Sequence, residues 1–426
     1  MKKLLLILLC LPIIGFGQGW EQTFGGTNQD FGTSGQQTSD GGYIITGRTY
    51  SFGNGVYDVY LIKTDGNGNE LWTKTFGGIA NDVGFSVQQT SDGGYIITGH
   101  TTSFGNGAED VYLIKTDGNG NELWTKTFGG ILIDEGVLVQ QTNDGGYIIT
   151  GHTTSFGNGL SDVYLIKTDV NGDSLWTKTF GSTTNDFGLS VQQTSDGGYI
   201  ITGTFEFYDV YLIKTDSNGN ELWTKTFGGV DNDIGFSVQQ TSDGGYIISG
   251  RTFSFGNGLS DVYIIKTDGN GNELWTKTFG GSGNDEGAKI QQTSDGGYIL
   301  TGYTEAFQFA FQDVYLIKTD GNGDSLWTKK FGGTFNDVGV SVQQTSDGGY
   351  IIFGWSGSFG NGAEDVYLIK TDGNGNVSST FNIPTTSKKK LKKIVDILGR
   401  EIVPKSNRPF IEIYDDGSVE KKIIIE

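Results

Sequence analysis

Cysteine, proline and histidine are all scarce in these 426 residues, and each scarcity removes a class of explanation. The single cysteine, Cys10, lies in an apolar run near the N-terminus, so the rest of the chain has neither disulfides nor thiol chemistry to draw on. The four prolines, Pro12, Pro384, Pro404 and Pro409, all fall outside the central region. A long, turn-rich, proline-free chain without helical periodicity points to β-structure throughout. Positive charge is short too: 29 Lys and Arg against 49 Asp and Glu leave a net charge of -20. Setting both ends aside puts roughly -25 on the central region. That surface argues against nucleic acid and anionic membrane as partners, and leaves divalent cations, cationic partners and neutral glycans.

The longest apolar run, Leu4 to Ile14, is too short to span a bilayer. With Lys2 and Lys3 before it and Gly15-Phe16-Gly17 after it, residues 1-17 read as a secretory signal peptide cut before Gln18. Leu9 is too bulky for the small residue that precedes a lipoprotein cysteine. A secreted or outer-surface location is therefore expected.

What is abundant is repetition. Trp20, Trp72, Trp124, Trp176, Trp223, Trp275 and Trp327 recur at a step of 52 residues, broken once by a step of 47. A period of this length decides the architecture before any local reading. Each unit offers four strands; in the second copy these are Gly84 to Thr90, Tyr95 to Thr101, Asp110 to Thr116 and Glu122 to Phe128. Ser91-Asp92-Gly93-Gly94 and Asp117-Gly118-Asn119-Gly120-Asn121 between them are turn chemistry, because Gly and Asn accept positive φ cheaply. The unit is thus a four-stranded antiparallel meander.

In Asp110-Val111-Tyr112-Leu113-Ile114-Lys115 both faces are apolar, so the sheet must be covered on both sides. Identical sheets stacked around an axis provide that cover. Seven Asp-Gly-Gly-Tyr turns, starting at Asp40, Asp92, Asp144, Asp196, Asp243, Asp295 and Asp347, give seven blades. The seventh unit stops after Lys370-Thr371-Asp372, while an isolated fourth strand begins at Trp20. The expected fold class is therefore all-β: a seven-bladed β-propeller over residues 18-376, closed by its N-terminal strand, with a short C-terminal β tail. Residues 377-387 read as a linker and 388-426 as the tail. The repeating tryptophans are assigned to docking of blade on blade.

Ile114-Lys115-Thr116-Asp117 followed by Asn121-Glu122-Leu123-Trp124 resembles the tryptophan-docking repeat of quinoprotein-type propellers. The whole unit resembles the propeller repeats of secreted bacterial surface proteins. Lys392-Lys393-Ile394-Val395-Asp396-Ile397-Leu398-Gly399-Arg400-Glu401, then Ile413-Tyr414-Asp415-Asp416-Gly417 and the closing Lys421-Lys422-Ile423-Ile424-Ile425-Glu426, is similar to C-terminal sorting signals of the type IX secretion system. This similarity implies export across the outer membrane, with secretion machinery as the partner of the tail.

Candidate ligand-binding residues lie on one rim. In a meander the Ser-Phe-Gly-Asn-Gly loops and the links between blades share an end, and that end varies between copies. Blade four replaces the loop with Thr204-Phe205-Glu206-Phe207-Tyr208, and blade six with Glu305 to Gln312, which contains Phe307, Phe309 and Phe311. Flat rings stack on sugars and apolar side chains, so the expected ligand is a glycan or a protein. A second variable position ends the second strand: Arg48, His100, His152, Thr204, Arg251, Tyr303 and Trp355. Two imidazoles can bind a metal, but a catalytic zinc usually has three protein ligands and no third stands out, so no metal site is expected.

Two sevenfold sets of aspartates, those of Asp82 and Asp110 in the second copy, repeat in every blade and are assigned to accepting N-H bonds at loop ends. Asp65-Gly66-Asn67-Gly68-Asn69-Glu70 opens like a calcium loop, yet it lacks glycine at the sixth position and has Phe76 at the twelfth. A hairpin turn is expected there, and no cofactor; calcium alone is left open. No once-only cluster of acid, base and metal ligands is visible. The expected function is a non-enzymatic binding or adhesion module. A propeller enzyme, either a quinoprotein-like oxidoreductase or a polysaccharide hydrolase or lyase, and a purely structural envelope protein are the alternatives.

Overall fold

The computed structural model describes residues 19-306, 310-377, 391-395, 400, 402, 409-414 and 419-423. Residues 1-17, expected to be a signal peptide, and most of the expected linker lie outside the described residues. Two compact units divide between 379 and 380.

The first unit is seven four-stranded antiparallel sheets. Blade one comprises Asp30–Gln37, Tyr43–Thr49, Asp58–Thr64 and Glu70–Phe76, paired in that order, and five further blades repeat the plan. The seventh is completed by the N-terminal segment: Trp20–Phe24 pairs with Asp365–Thr371, from Trp20 opposite Lys370 to Phe24 opposite Val366. The ring therefore closes as the sequence implies, and no blade is left with an unpaired outer strand. Among the described residues every regular element is a strand.

The third strand explains the packing. All seven residues of Asp110–Thr116 are buried, as the two-faced apolar pattern requires. Each interface between blades forms its own core. Ile44, Leu61 and Phe76 of blade one meet Val87, Tyr95 and Ile97 of blade two, with Trp72 packed against them. Trp72 reaches the Tyr95 ring of the next blade at 6.0 Å. It also lies over Gly120, where φ is 73° and an added Cβ would sit 2.6 Å from the indole. The turn glycine thus answers two demands at once, a left-handed backbone and room for a neighbour's ring. Trp20 makes the same contact with Tyr43 across the closing joint, at 5.7 Å.

The first strand differs from its expected bounds. It runs from Asp82 to Gln89 in blade two, two residues earlier than expected, because Asp82 pairs with Thr101 before the glycine is reached. A bulge follows between Gly84 and Ser86 and turns Phe85 toward the axis. Gly99 stands opposite this bulge, and a Cβ there would lie 1.7 Å from the Val83 carbonyl oxygen.

The first strands line a central channel of ≈ 490 Å³. Each carries a Gln-Gln pair that ties neighbouring blades together. The Gln36 amide oxygen accepts the Gln89 N-H at 2.9 Å, and the Gln89 amide oxygen accepts the Ser39 N-H at 2.8 Å. The first series continues around the ring to Gln343, which accepts the Gln37 N-H at 2.8 Å. The second closes where Gln37 accepts the Ser346 N-H. Two closed sevenfold circuits of amide bonds result.

The second unit is a three-stranded antiparallel sheet of Leu391–Val395, Pro409–Tyr414 and Val419–Ile423, in that order. The Ile402 N-H bonds the Ile394 carbonyl at 3.0 Å. The motif residues Asp396 and Gly399 lie outside the described residues.

Candidate functional site: the loop rim

The two rims of the ring are chemically unlike. On the turn rim the same network recurs in every blade. Lys115, its side chain only 4% exposed, bonds the Thr116 carbonyl at 2.8 Å and pairs with Asp92 at 3.0 Å. Burial raises the Asp92 carboxyl, but the Thr90 hydroxyl, the Gly94 N-H and Lys115 more than offset it and hold the group down at about 2. In the adjoining turn Asp117 accepts the Asn119 and Asn121 N-H groups, each at 2.8 Å, and the Asn121 amide at 2.9 Å. Its oxygens thus serve as the hinge of a hairpin.

On the loop rim, the two repeating aspartates do the structural work assigned to them. Asp82 accepts the Thr101 hydroxyl, the Ser103 hydroxyl at 2.6 Å and the Gly78 N-H at 2.7 Å. Asp110 accepts the Asn106 and Gly107 N-H groups, both at 2.9 Å. Between these fixed points the varied residues are displayed.

The aromatic candidates divide into three groups. Phe205 turns inward onto Tyr211 at 5.0 Å and joins the core, taking the place that Phe104 takes on Tyr112 in blade two. Phe207 and Tyr208 stay outside, 43% and 62% exposed, with Phe207 edge-on to Phe187 at 4.9 Å. Phe311 is 57% exposed and packs edge-to-face at 5.6 Å on Phe335, itself 53% exposed, in the link to blade seven. Phe307 and Phe309 lie outside the described residues. Among the described residues no ring contact joins the blade-four set to the blade-six set. Phe335 and the exposed run Ile131-Leu132-Ile133 belong to the same surface; their signal is a large apolar residue in a link otherwise built mostly of small and polar residues.

The variable position at the end of the second strand is half-buried in six blades and buried at Thr204, and is mostly engaged between blades. Trp355 of blade seven packs on Phe31 of blade one at 5.2 Å. Arg48 lies over the rings of Phe31 and Tyr57 at 4.6 and 4.9 Å. Arg251 pairs with Glu286 of the next blade at 3.0 Å, and burial beside Glu286 pushes the Tyr303 hydroxyl up to about 12. His152 meets Phe187 at 4.6 Å, and burial pushes its imidazole down to about 4. His100 stands 3.6 Å from Glu135 and edge-on to Phe85 at 5.4 Å.

His100 is the centre of the one grouping of His, Asp and Glu with metal-ligand spacing among the described residues: His100, Glu109 and Glu135, whose ligand atoms lie within 4.8 Å of one another. Sequence reasoning singled out the histidines and missed both acids. Glu109 sits in the loop before the third strand and Glu135 in the next blade. Only a comparison of columns across the seven units would have marked them: Glu135 has Phe31, Val83, Phe187, Ile234, Glu286 and Val338 as counterparts.

One further cation faces the channel. Lys289 occupies a position held by serine in five blades and leucine in one, and burial pushes its amine downward. Among the described residues no helix is long and apolar enough to cross a membrane.

No family model matches the chain. A regulatory protein of Caulobacter vibrioides, FlaEY, is 29% identical over 177 residues, which is 36% of this chain and 18% of that protein. The match thus spans less than a fifth of the relative's length. Among solved structures, Sqt1 from Chaetomium thermophilum is similar at a TM-score of 0.46 with 12% identity, covering 94% of this chain and 99% of that one. YCF48 bound to a D1 peptide is similar at a TM-score of 0.49 with 10% identity, covering 84% and 97%.

Proposed function

We propose that this propeller is a non-enzymatic binding module, displayed outside the cell, that engages a protein or glycan through its loop rim. The observation that carries the reading is the contrast between rims. The turn rim repeats one saturated network, whereas the loop rim exposes Tyr208, Phe207, Phe311 and Phe335 on a rigid frame. Exposed rings beside polar loops are the usual composition of a recognition surface. Near-identical blades also favour several weak contacts on a repetitive partner, with gain by avidity. Export rests on residues 1-17 and on the tail similar to a type IX sorting signal.

The test is a glycan array and a pull-down from surface extracts, using the purified ring. Tyr208→Ala and the pair Phe311→Ala with Phe335→Ala are expected to abolish retention while leaving the melting temperature within a degree or two. Trp355→Ala is the weaker probe, because Trp355 packs on Phe31 and its loss disturbs the closing joint. Retention unchanged in both rim variants would refute the reading. Export is tested separately: a chain lacking residues 388-426 should stay within the envelope, and its recovery at the surface would sink that half of the proposal.

A further inference from the structure

The joint between blades two and three differs from the other joints in a way that packing does not explain. Its chemistry is clearest against the joint between blades five and six, where the same positions hold Arg251, Ser260 and Glu286. There the acid is matched: the Arg251 guanidinium bonds Glu286 at 3.0 Å. At the second joint the positions hold His100, Glu109 and Glu135, so the arginine is replaced by an imidazole and a second acid is added. Two half-buried carboxyls and a histidine converge with no lysine or arginine bonded to either acid among the described residues.

The backbone sets this convergence. Glu109 forms a parallel bridge with Ile133, and its carbonyl accepts the Asp134 N-H at 2.9 Å. That bridge places Glu109 beside the start of the strand carrying Glu135. His100 closes the group from the end of its own second strand, its side chain 12% exposed. Its Nδ1 is buried and makes no hydrogen bond. Glu135 Oε1 lies 3.6 Å from it, beyond hydrogen-bond reach. A buried nitrogen aimed at two carboxyls that repel each other is a poor arrangement for stability and a good one for a cation.

We propose that His100, Glu109 and Glu135 form a binding site for a divalent transition-metal ion, with Zn2+ the best match. An imidazole with two carboxylates suits zinc and its neighbours, whereas calcium takes oxygen ligands and more of them. Ligand atoms bound at about 2.0 to 2.2 Å lie about 3.4 Å apart at a tetrahedral angle. The 3.6 Å between His100 Nδ1 and Glu135 Oε1 is close to that edge, and small rotations of the long Glu side chains close the rest. Three protein ligands leave one position for water or for a group on a bound partner. His152 stands directly across the strand pair from Glu135.

The test uses the tag-free full chain, stripped with chelator and titrated calorimetrically with Zn2+. One ion per chain is expected, with a rise in melting temperature. His100→Ala, Glu109→Gln and Glu135→Gln should each weaken binding at least tenfold, whereas Glu122→Gln, at an exposed position, should not. Co2+ loaded in place of Zn2+ should give visible absorption bands that disappear in the same three variants. Because removing one of two facing acids relieves repulsion, metal-free Glu109→Gln should melt at or above the wild-type temperature, which separates lost ligation from misfolding. No saturable uptake, or uptake equal in all three variants, would overturn the site.

Discussion

Single residues in this ring are judged by what they abut in the neighbouring strand or blade. Gly99 is the sharpest case. A methyl group there would meet the Val83 carbonyl oxygen at 1.7 Å, and backbone cannot yield as a side chain can. Gly99→Ala is therefore expected to cost about 1 to 3 kcal/mol in urea unfolding, by the magnitude typical of overpacking. Asp92 makes a different prediction, in pH. Its carboxyl titrates at about 2 in the folded ring, below its value in an unfolded chain, near 3.9. The stabilisation is thus fully present above about pH 4 and is lost as pH falls through about 2. Asp40, Asp196, Asp243 and Asp295 are held near the same value, so the whole ring should weaken in that window. Asp92→Ala should cost about 1 to 3 kcal/mol at pH 7 by leaving the buried Lys115 amine short of a partner, and little at pH 2. Thermal melts at the two pH values check both halves. At this scale the sequence was legible where chemistry repeats. The aspartates were assigned correctly because seven copies need a common reason. The Gln-Gln pairs were overlooked although they recur as often, since a polar residue in a strand reads as facing water until the neighbouring blade is in place. Glu109 and Glu135 were overlooked for the opposite reason: they belong to different blades, and only the backbone bridge brings them together.

At the scale of elements, blade four shows what shortening does. It loses five residues of loop, and the chain turns instead through Phe205 to Tyr208, closed by the Tyr208 N-H on the Phe205 carbonyl at 3.0 Å. Both central residues take positive φ, 54° at Glu206 and 64° at Phe207, which bulky side chains rarely adopt. Phe207→Gly relieves a left-handed cost of about 1 to 2 kcal/mol against an entropic cost of about 0.5 to 1 kcal/mol, and should therefore stabilise the ring slightly, by up to about 1 kcal/mol in chemical denaturation. If the rim binds as proposed, the same change lowers ligand retention, so stability and binding should move in opposite directions. The strands themselves were read well from alternation and turn residues. The sequence pattern opens the first strand at Gly84; the pairing of Asp82 with Thr101 extends it by two residues, and the bulge at Phe85 then shifts the register by one. Phe205 illustrates the limit of counting rim aromatics, since one ring of that loop had to fill the place on Tyr211 that the longer loops fill with their own phenylalanine.

For the whole molecule, closure is the decisive event. Trp20–Phe24 covers Asp365–Thr371, whose seven residues are all buried. A chain beginning after Phe24 would expose that strand as an edge, and exposed edges recruit partners. It should run as dimers or larger species by size-exclusion chromatography, and a synthetic peptide of Trp20 to Gly26 added in excess should return it to monomer. A truncated chain that stays monomeric without the peptide would show that the final strand tolerates exposure.

The paired glutamine circuits carry a last implication. Every seam in the torus is fastened by the same two reciprocal clasps and the same indole seated on a glycine, so any unit can in principle follow any other. Specialisation is then free to accumulate in one unit without altering how it is joined to its neighbours. The shortened fourth loop is such a departure within one unit and the His100 group one across two, and both sit in the same unaltered frame of clasps.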